Sequence, residues 1–259
     1  PTREFSPSGL GDVQVPQFLN RTLGHIVDYA GWAMIARAVN RARRQLNRPR
    51  IGNPTRGVQR LGAWSPTLVP SPRDWPSNVS ITGAWRLSTP ANWRPDPALQ
   101  AFLDAGEPPI YIGFGSMPTF SGTKALTDAL LTGLAGHRVV LTHGSTNRLP
   151  ASDDVFVIGF VPHDWLFPRC AAIVHHCGAG TTNSALASGT PSIPIPFTLD
   201  QPFWARRLRG LGVAAPPLDP RHPAPDAVSA ALAHVQTKGV RERAADLAQQ
   251  VSSEDGVRT

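Results

Sequence analysis

AAIVHHCGAGTTNSALASGTPSIPIPFTLDQP, residues 171 to 202, is the stretch whose reading decides the fold. Its apolar opening, 171 to 174, predicts a strand that runs into two histidines, His175 and His176. Cys177-Gly178-Ala179-Gly180 then predicts a tight turn, and Thr181-Thr182-Asn183-Ser184 opens a helical run. The order strand, glycine turn, helix has a chemical consequence. The first turn of a helix carries backbone N–H groups without intrahelical partners and the positive end of the helix dipole, so it attracts phosphate. Gly178 and Gly180 would let backbone approach an anion, and Thr181 and Thr182 are expected to add hydroxyl donors at the capping positions. His176 can donate a ring N–H to a phosphate oxygen whether or not it is charged. Past the second apolar run, SIPIPF at 192 to 197, Asp200 and Gln201 offer a carboxylate and an amide that could bond vicinal hydroxyls; a helix cap by Asp200 is the plainer alternative.

Outward from this stretch the chain alternates. Strands are predicted at IYIGF (110 to 114), RVVLT (138 to 142) and VFVI (155 to 158), with VAA (213 to 215) as a short last piece. Helices are predicted near 122 to 135, near Trp165, from Thr181, from 201 to about 211, and near 225 to 235 and 239 to 251. Apolar strands alternating with helices make an α/β protein, with a parallel sheet covered on both faces and its ligand at the carboxyl ends of the strands. Gly115-Ser116, Gly159-Phe160, His175-His176 and Asp200-Gln201 each follow a strand, so they should converge on one rim. Phe160 could stack on a base there or belong to the core.

Upstream the pattern differs. Residues 1 to 17 are irregular, and from 18 to about 46 Leu19, Leu23, Ile26, Val27, Ala30, Met34, Ala38 and Val39 recur at three and four residues, predicting an amphipathic helix. Short extended pieces at 61 to 83 (LGAW, TLV, VSITG) read as the last strands of a preceding domain. A proline- and tryptophan-rich stretch follows without periodicity, giving a division into 1 to 88, a linker over 89 to 106, and the alternating unit that carries the rim residues over 107 to 259.

Composition narrows the classes. At 259 residues with 41% hydrophobic and 17% charged residues the chain can bury a sizeable core, and no run approaches the roughly 18 apolar residues of a membrane span. The first residue is Pro1 with no basic-then-apolar leader after it, so upstream sequence is expected. Cys170 and Cys177 make neither a disulfide framework nor a zinc spacing, which points to a reducing cytoplasm. The net charge of +7 favours acidic partners, and Arg37, Arg41, Arg43, Arg44, Arg48 and Arg50 cluster. That cluster reads first as a solvated helix face, with peripheral contact to an anionic membrane next and nucleic acid behind it. No P-loop lysine, third fingerprint glycine or G-x-S-x-G elbow is present.

Four segments together, GFGSM (113 to 117), GFVPHDWLFP (159 to 168), HHCGAGTT (175 to 182) and PFTLDQPFWARR (196 to 207), resemble the donor half of the family-one UDP-sugar glycosyltransferases, in the branch of sterol glucosyltransferases and antibiotic, macrolide-type glycosyltransferases. The resemblance implies the GT-B fold, two Rossmann-like domains across a cleft, and inverting transfer without a metal. It implies that Phe160 lies against uracil, that the backbone from Val161 to His163 reads the base edge, that Ser116, His176, Gly178, Gly180, Thr181 and Thr182 hold the diphosphate, and that Asp200 and Gln201 grip the sugar. Ser184 stands where plant relatives carry a ribose-binding glutamate, and Cys177 where glycine is common. The family's general base, a histidine backed by aspartate, is expected upstream of this sequence, so no catalytic residue is assigned within it and His25 reads as structural. Glucose on UDP is the expected donor, with a deoxysugar on a thymidine carrier as a variant. The acceptor is expected to be a small lipophilic alcohol: sterol, polyketide or macrolide, flavonoid and lipid all fit. Three other readings stand beside this one: a GT-B-shaped UDP-sugar epimerase, a truncated sugar-nucleotide sensor or degenerate paralogue without turnover, and a nucleic-acid binder.

Overall fold

The computed structural model describes residues 1–7, 15–54, 58–115, 123–143 and 152–258. A long helix, α1 (Gln17–Gln45), stands where the apolar spacing predicts one, with Arg43 and Arg44 in its last turn complementing the negative end of the dipole. Asn40 fastens the chain that follows, donating from Nδ2 to the Ile51 carbonyl (3.2 Å) and accepting the Ile51 N–H (2.9 Å). The apolar side expected to be buried is open instead. Ile26 and Met34 are 57% and 84% exposed, and the residues buried on α1 are Asn20, Gly24 and Asn40.

Two three-residue strands, β1 (Arg60–Gly62) and β2 (Val79–Ile81), pair in parallel. Between them TLV is no strand. The Leu68 and Val69 N–H groups both turn back to the Ser65 carbonyl at 3.0 Å, and both side chains are buried. The stretch read as linker, 89 to 106, is also not irregular throughout: it contains the helix α2 (Pro97–Asp104). Asp96 caps it by accepting the Ala98 N–H (2.8 Å), Pro97 fills the first turn, and Leu99 is buried. The helix escaped the pattern because it offers two turns and a single fully buried apolar residue.

The main sheet comprises β3 (Ile110–Gly113), β4 (Val139–Thr142), β5 (Val155–Ile158), β6 (Ala172–His175) and β7 (Ser192–Pro194), all parallel, in the order β5-β4-β3-β6-β7. Helices α3 (Thr123–Gly133), α4 (His163–Leu166), α5 (Ala179–Ser188), α6 (Gln201–Gly210), α7 (Pro225–Val235) and α8 (Lys238–Ser252) surround it. Ile110, Ile112 and Val174 pack on Leu126 and Leu130 of α3 and Ala231 and Leu232 of α7. Tyr111, Val140 and Ile173 pack on Leu99, Leu166, Phe167 and Ala185 across the other face. Both faces are covered, and each such buried aliphatic side chain contributes about 1.5–3 kcal/mol. The predicted VAA strand is reduced to one bridge, Ala214 to Ser192.

The order reverses between β3 and β6. From β3 the sheet grows first through β4 and β5, then from the opposite side of β3 through β6 and β7. α3 and α5, the helices that come after β3 and β6, pack on opposite faces of the sheet, so the carboxyl ends of these two strands border a crevice. Gly115 and His176 stand at its two lips.

Candidate functional site

His176 is the first residue beyond β6, and its ring is held between two glycines from different turns. A Cβ at Gly178 would lie 2.5 Å from His176 Nε2, and one at Gly115 would lie 2.9 Å from Cε1. Gly115 also has φ +61, a left-handed value that disfavours side chains. Both turns thus need glycine because an imidazole occupies the space. Burial lowers the pKa of His176, opposed by the Gly113 backbone and the Asp200 carboxylate. Its buried Nδ1 has no hydrogen-bond partner. A neutral ring keeps one N–H to donate, which is what a phosphate oxygen accepts.

His175 does the opposite job. It is fully buried within the sheet, and its Nδ1 accepts the Cys177 N–H at 3.2 Å, which fixes the ring proton on Nε2. Burial, His176 and His163 together push its pKa down to about 3. Of the adjacent pair, only His176 is presented to the crevice.

Helix α5 begins two residues before Thr181, and this corrects the roles expected of the threonines. Cys177 adopts φ +63, so the chain turns immediately after the strand and Gly178 becomes the N-cap. Thr181 and Thr182 are consequently the third and fourth helical residues rather than caps. Thr182 is buried, its N–H closes the first helical bond to the Gly178 carbonyl (2.9 Å), and its hydroxyl has no partner. The N–H groups of Ala179, Gly180 and Thr181 precede that bond and lack an acceptor within the helix. Nothing lies within 4 Å of where a Cβ on Gly180 would sit, so its approach is open.

Asp200 is the residue before α6, and its side chain caps no N–H of that helix. Its Oδ2 accepts the Trp204 Nε1–H at 2.7 Å, and the carboxylate is near enough to His176 to raise its pKa. Gln201 is buried, and its Oε1 accepts the N–H groups of Phe197 (2.7 Å) and Thr198 (3.1 Å), closing the turn that presents Asp200. Phe160, after β5, is 93% exposed. Val161 packs partly into the core, and the His163 ring stacks on Phe167 (4.2 Å between centroids, 15°), where burial lowers its pKa. Ser116 lies outside the described residues. Thr89 reaches Asp164 through its N–H (2.7 Å) and hydroxyl (2.6 Å), anchoring the segment before α2 beside the Phe160 turn.

Two features escaped the sequence reading. Trp204 fixes Asp200, and the i, i+4 spacing of an acceptor and an indole donor at a helix start could have shown it. Left-handed backbone could not have been foreseen. Among the described residues the non-glycine positions with positive φ are Asn47, Cys177 and Leu199, and two of these directly adjoin His176 and Asp200. Such strain gathers at functional sites. Among the described residues no three side chains group to hold a metal ion, and no helix is long and apolar enough to cross a membrane.

Known proteins resemble this chain along most of its length. The family model described as "Erythromycin biosynthesis protein CIII-like, C-terminal domain" matches residues 135–256. A sterol 3-beta-glucosyltransferase of Arabidopsis thaliana is 37% identical over 273 residues, covering 99% of this chain and 42% of the relative. O-mycaminosyltylonolide 6-deoxyallosyltransferase of Streptomyces fradiae is 36% identical over 211 residues, covering 80% of this chain and 49% of the relative. This chain therefore spans less than half the length of either relative. Among solved structures, the glycotransferase of kitacinnamycin superposes with a TM-score of 0.68 at 21% identity, covering 92% of this chain and 64% of that one.

Proposed function

This chain has a GT-B type α/β fold and is related to the sterol glucosyltransferases and macrolide-type antibiotic glycosyltransferases, matching their C-terminal donor domain; on that premise we propose that it is the donor-binding half of a UDP-sugar-dependent glycosyltransferase. The reading is carried by one observation: the His176 ring wedged between Gly115 and Gly178, beside unpaired helix N–H groups and within electrostatic reach of Asp200. Phe160 supplies an exposed face for the base, the start of α5 and His176 hold the diphosphate, and Asp200 accepts from sugar hydroxyls while Gln201 shapes the loop. The sugar is a hexose, glucose first, and the acceptor is a hydroxyl on a lipophilic molecule such as a sterol or polyketide.

In the step proposed, an acceptor oxygen attacks the anomeric carbon from the face opposite the nucleotide, and the bond from that carbon to the diphosphate oxygen breaks with inversion. The departing UDP gains negative charge as the bond lengthens. Donors already aimed at it, the His176 N–H and the N–H groups of 179 to 181, stabilise the transition state more than the ground state and need no metal to do so. The proton from the acceptor passes to a base in the part of the relatives that this chain does not span. Turnover by these 259 residues alone is therefore expected to be slow.

Calorimetric titration with UDP and UDP-glucose in EDTA tests the reading. UDP should bind without metal, and His176→Ala should weaken both ligands by about 10- to 100-fold, the worth of one hydrogen bond to a charged group. Asp200→Asn should remove only the increment that glucose adds. A folded chain that ignores both nucleotides, or needs a divalent ion to bind them, would sink the proposal.

A further inference from the structure

Helix α5 starts without a cap of its own. Gly178, its N-cap, has no side chain, and no side-chain hydrogen bond closes the first turn from that position. The turn that carries the N–H groups of 179 to 181 is held instead from one turn further in. Asn183, 3% exposed, donates from Nδ2 back to the Ala179 carbonyl at 2.8 Å and accepts the Ser65 N–H on Oδ1 at 3.0 Å. Both halves of its amide are matched, so one rigid plane bridges α5 to a residue 118 positions earlier.

Ser65 is fully buried and uses every polar atom it has. Its carbonyl accepts the Leu68 and Val69 N–H groups, while its hydroxyl accepts the Thr67 N–H (3.1 Å) and donates to Glu254 Oε1 (2.7 Å). Glu254 follows α8, with its N–H on the Val251 carbonyl at 3.1 Å, and Arg86 reaches the same carbonyl at 3.3 Å. A Cβ on Gly256 would lie 2.5 Å from the Gly83 carbonyl oxygen, so the tail after α8 is clamped between Ser65 and residues 83 to 86. α8 in turn lies against α5, with Leu186, Ala244 and Leu247 in one buried cluster. We propose that Asn183, Ser65 and Glu254 are positioning residues: they form a relay that holds the first turn of α5 where its N–H groups meet phosphate. Donors aimed at a developing charge must stay within about 0.5 Å of their productive place, and a helix start without a cap needs such a fastening from outside. The phosphate role rests on the donor reading, whereas the fastening itself does not.

The 259-residue chain and its variants are titrated with UDP by calorimetry and with uridine by ligand-observed NMR, after circular dichroism has confirmed that each is folded. Asn183→Leu, close in shape and without polar atoms, should weaken UDP about five- to tenfold and leave uridine within about twofold. Ser65→Ala and Glu254→Ala should each weaken UDP about threefold, and the double change should go no further than either. Glu254→Gln, which keeps an acceptor for the Ser65 hydroxyl, should restore the affinity. Thr190→Val breaks a comparable buried bond past the far end of α5, from the Thr190 hydroxyl to the Phe167 carbonyl (2.7 Å), and should lower the melting temperature without touching UDP. UDP affinity that ignores Asn183→Leu overturns the proposal. So does uridine weakened as much as UDP, or an equal loss from Thr190→Val. A wild-type chain that ignores UDP discards the donor reading and the phosphate role with it. Hydrogen exchange at the Thr182 amide, which closes the first helical bond, then judges the fastening alone: faster exchange in Asn183→Leu keeps it, and unchanged exchange overturns it.

Discussion

The sheet and helix α1 are written with the same apolar vocabulary and meet opposite fates. Ile112 and Val174 have no exposed surface, whereas Met34 is 84% exposed on a helix of 29 residues. The difference lies in where each pattern finds its cover. A parallel sheet is covered by the helices that connect its own strands, so sequence neighbours supply both faces. A single helix with an apolar side must borrow its cover from elsewhere, and for α1 the described residues do not provide it. Periodicity says which side of a helix avoids water and is silent about what it packs against.

The largest effect expected from this contrast is in stability. Leu130, on α3 and fully buried against the sheet, should cost about 2–5 kcal/mol when cut to alanine, from lost transfer energy and the cavity left behind. Met34→Ala should stay within about 0.5 kcal/mol, as an exposed substitution does. Urea denaturation of both variants decides it. A large cost at Met34 would break the comparison by showing that α1 is covered in solution, and the urea midpoint would then rise with protein concentration.

The histidine pair sharpens the same contrast within two residues. The folded-state pKa of His175, about 3, lies below the ordinary value, so the unfolded chain binds the proton more readily. Its contribution to stability is complete above about pH 6.5 and falls away as the pH drops through the window down to about 3, at up to roughly 1.4 kcal/mol per pH unit. Acid melting curves should show this loss, and His175→Leu, which cannot take up a proton, should flatten them. His176→Leu should leave most of the slope and act on UDP binding instead. A wild-type curve that is flat from pH 6.5 to 4 would contradict the buried neutral ring.

Gly178 and Gly180 part company in the same way, with a smaller effect. An alanine Cβ at Gly178 would collide with His176 Nε2, so Gly178→Ala should displace the ring and weaken UDP by about tenfold, beyond the usual alanine penalty at an N-cap of ~1 kcal/mol. Gly180 is helical and open, so Gly180→Ala should stabilise the fold by about 0.5–1 kcal/mol. If it also weakens UDP, the nucleotide occupies the space above α5. If it leaves UDP untouched, the diphosphate is held elsewhere on the rim.

The alternation of strands and helices in the sheet unit was legible because buried parallel strands are continuous apolar runs, as at 110 to 113 and 172 to 174, and because glycine turns punctuate them. That Asp200 and His176 meet on one rim followed from each coming just after a strand. The start of α5 was misjudged because Thr181 and Thr182 look like caps, while the true boundary was set by a left-handed cysteine that no propensity favours. α2 was missed because a proline-rich context outweighed two helical turns. The packing of Phe5 on Phe203 and of Trp64 on Trp204 was illegible for another reason: these rings are brought together only by tertiary contacts, which no local pattern encodes.

The smallest effect concerns strain and separates the two regions once more. At the end of α1 the left-handed position, φ +52, is filled by Asn47, one of the few side chains that visit that region without much cost. At the rim the same backbone is imposed on Leu199, φ +57, which is 74% exposed and gains little from burial. Left-handed backbone costs such a residue roughly 1–2 kcal/mol, and glycine returns part of that gain through the flexibility of the unfolded chain. Leu199→Gly should therefore stabilise the chain by about 0.5 kcal/mol, while Asn47→Gly should not. The strained leucine adjoins Asp200, so a looser backbone there should lower affinity for UDP-glucose and spare UDP. A Leu199→Gly chain that melts higher and binds UDP-glucose as tightly as before would show that the strain serves no positioning role. A loss confined to the sugar increment would show that it holds the carboxylate in place.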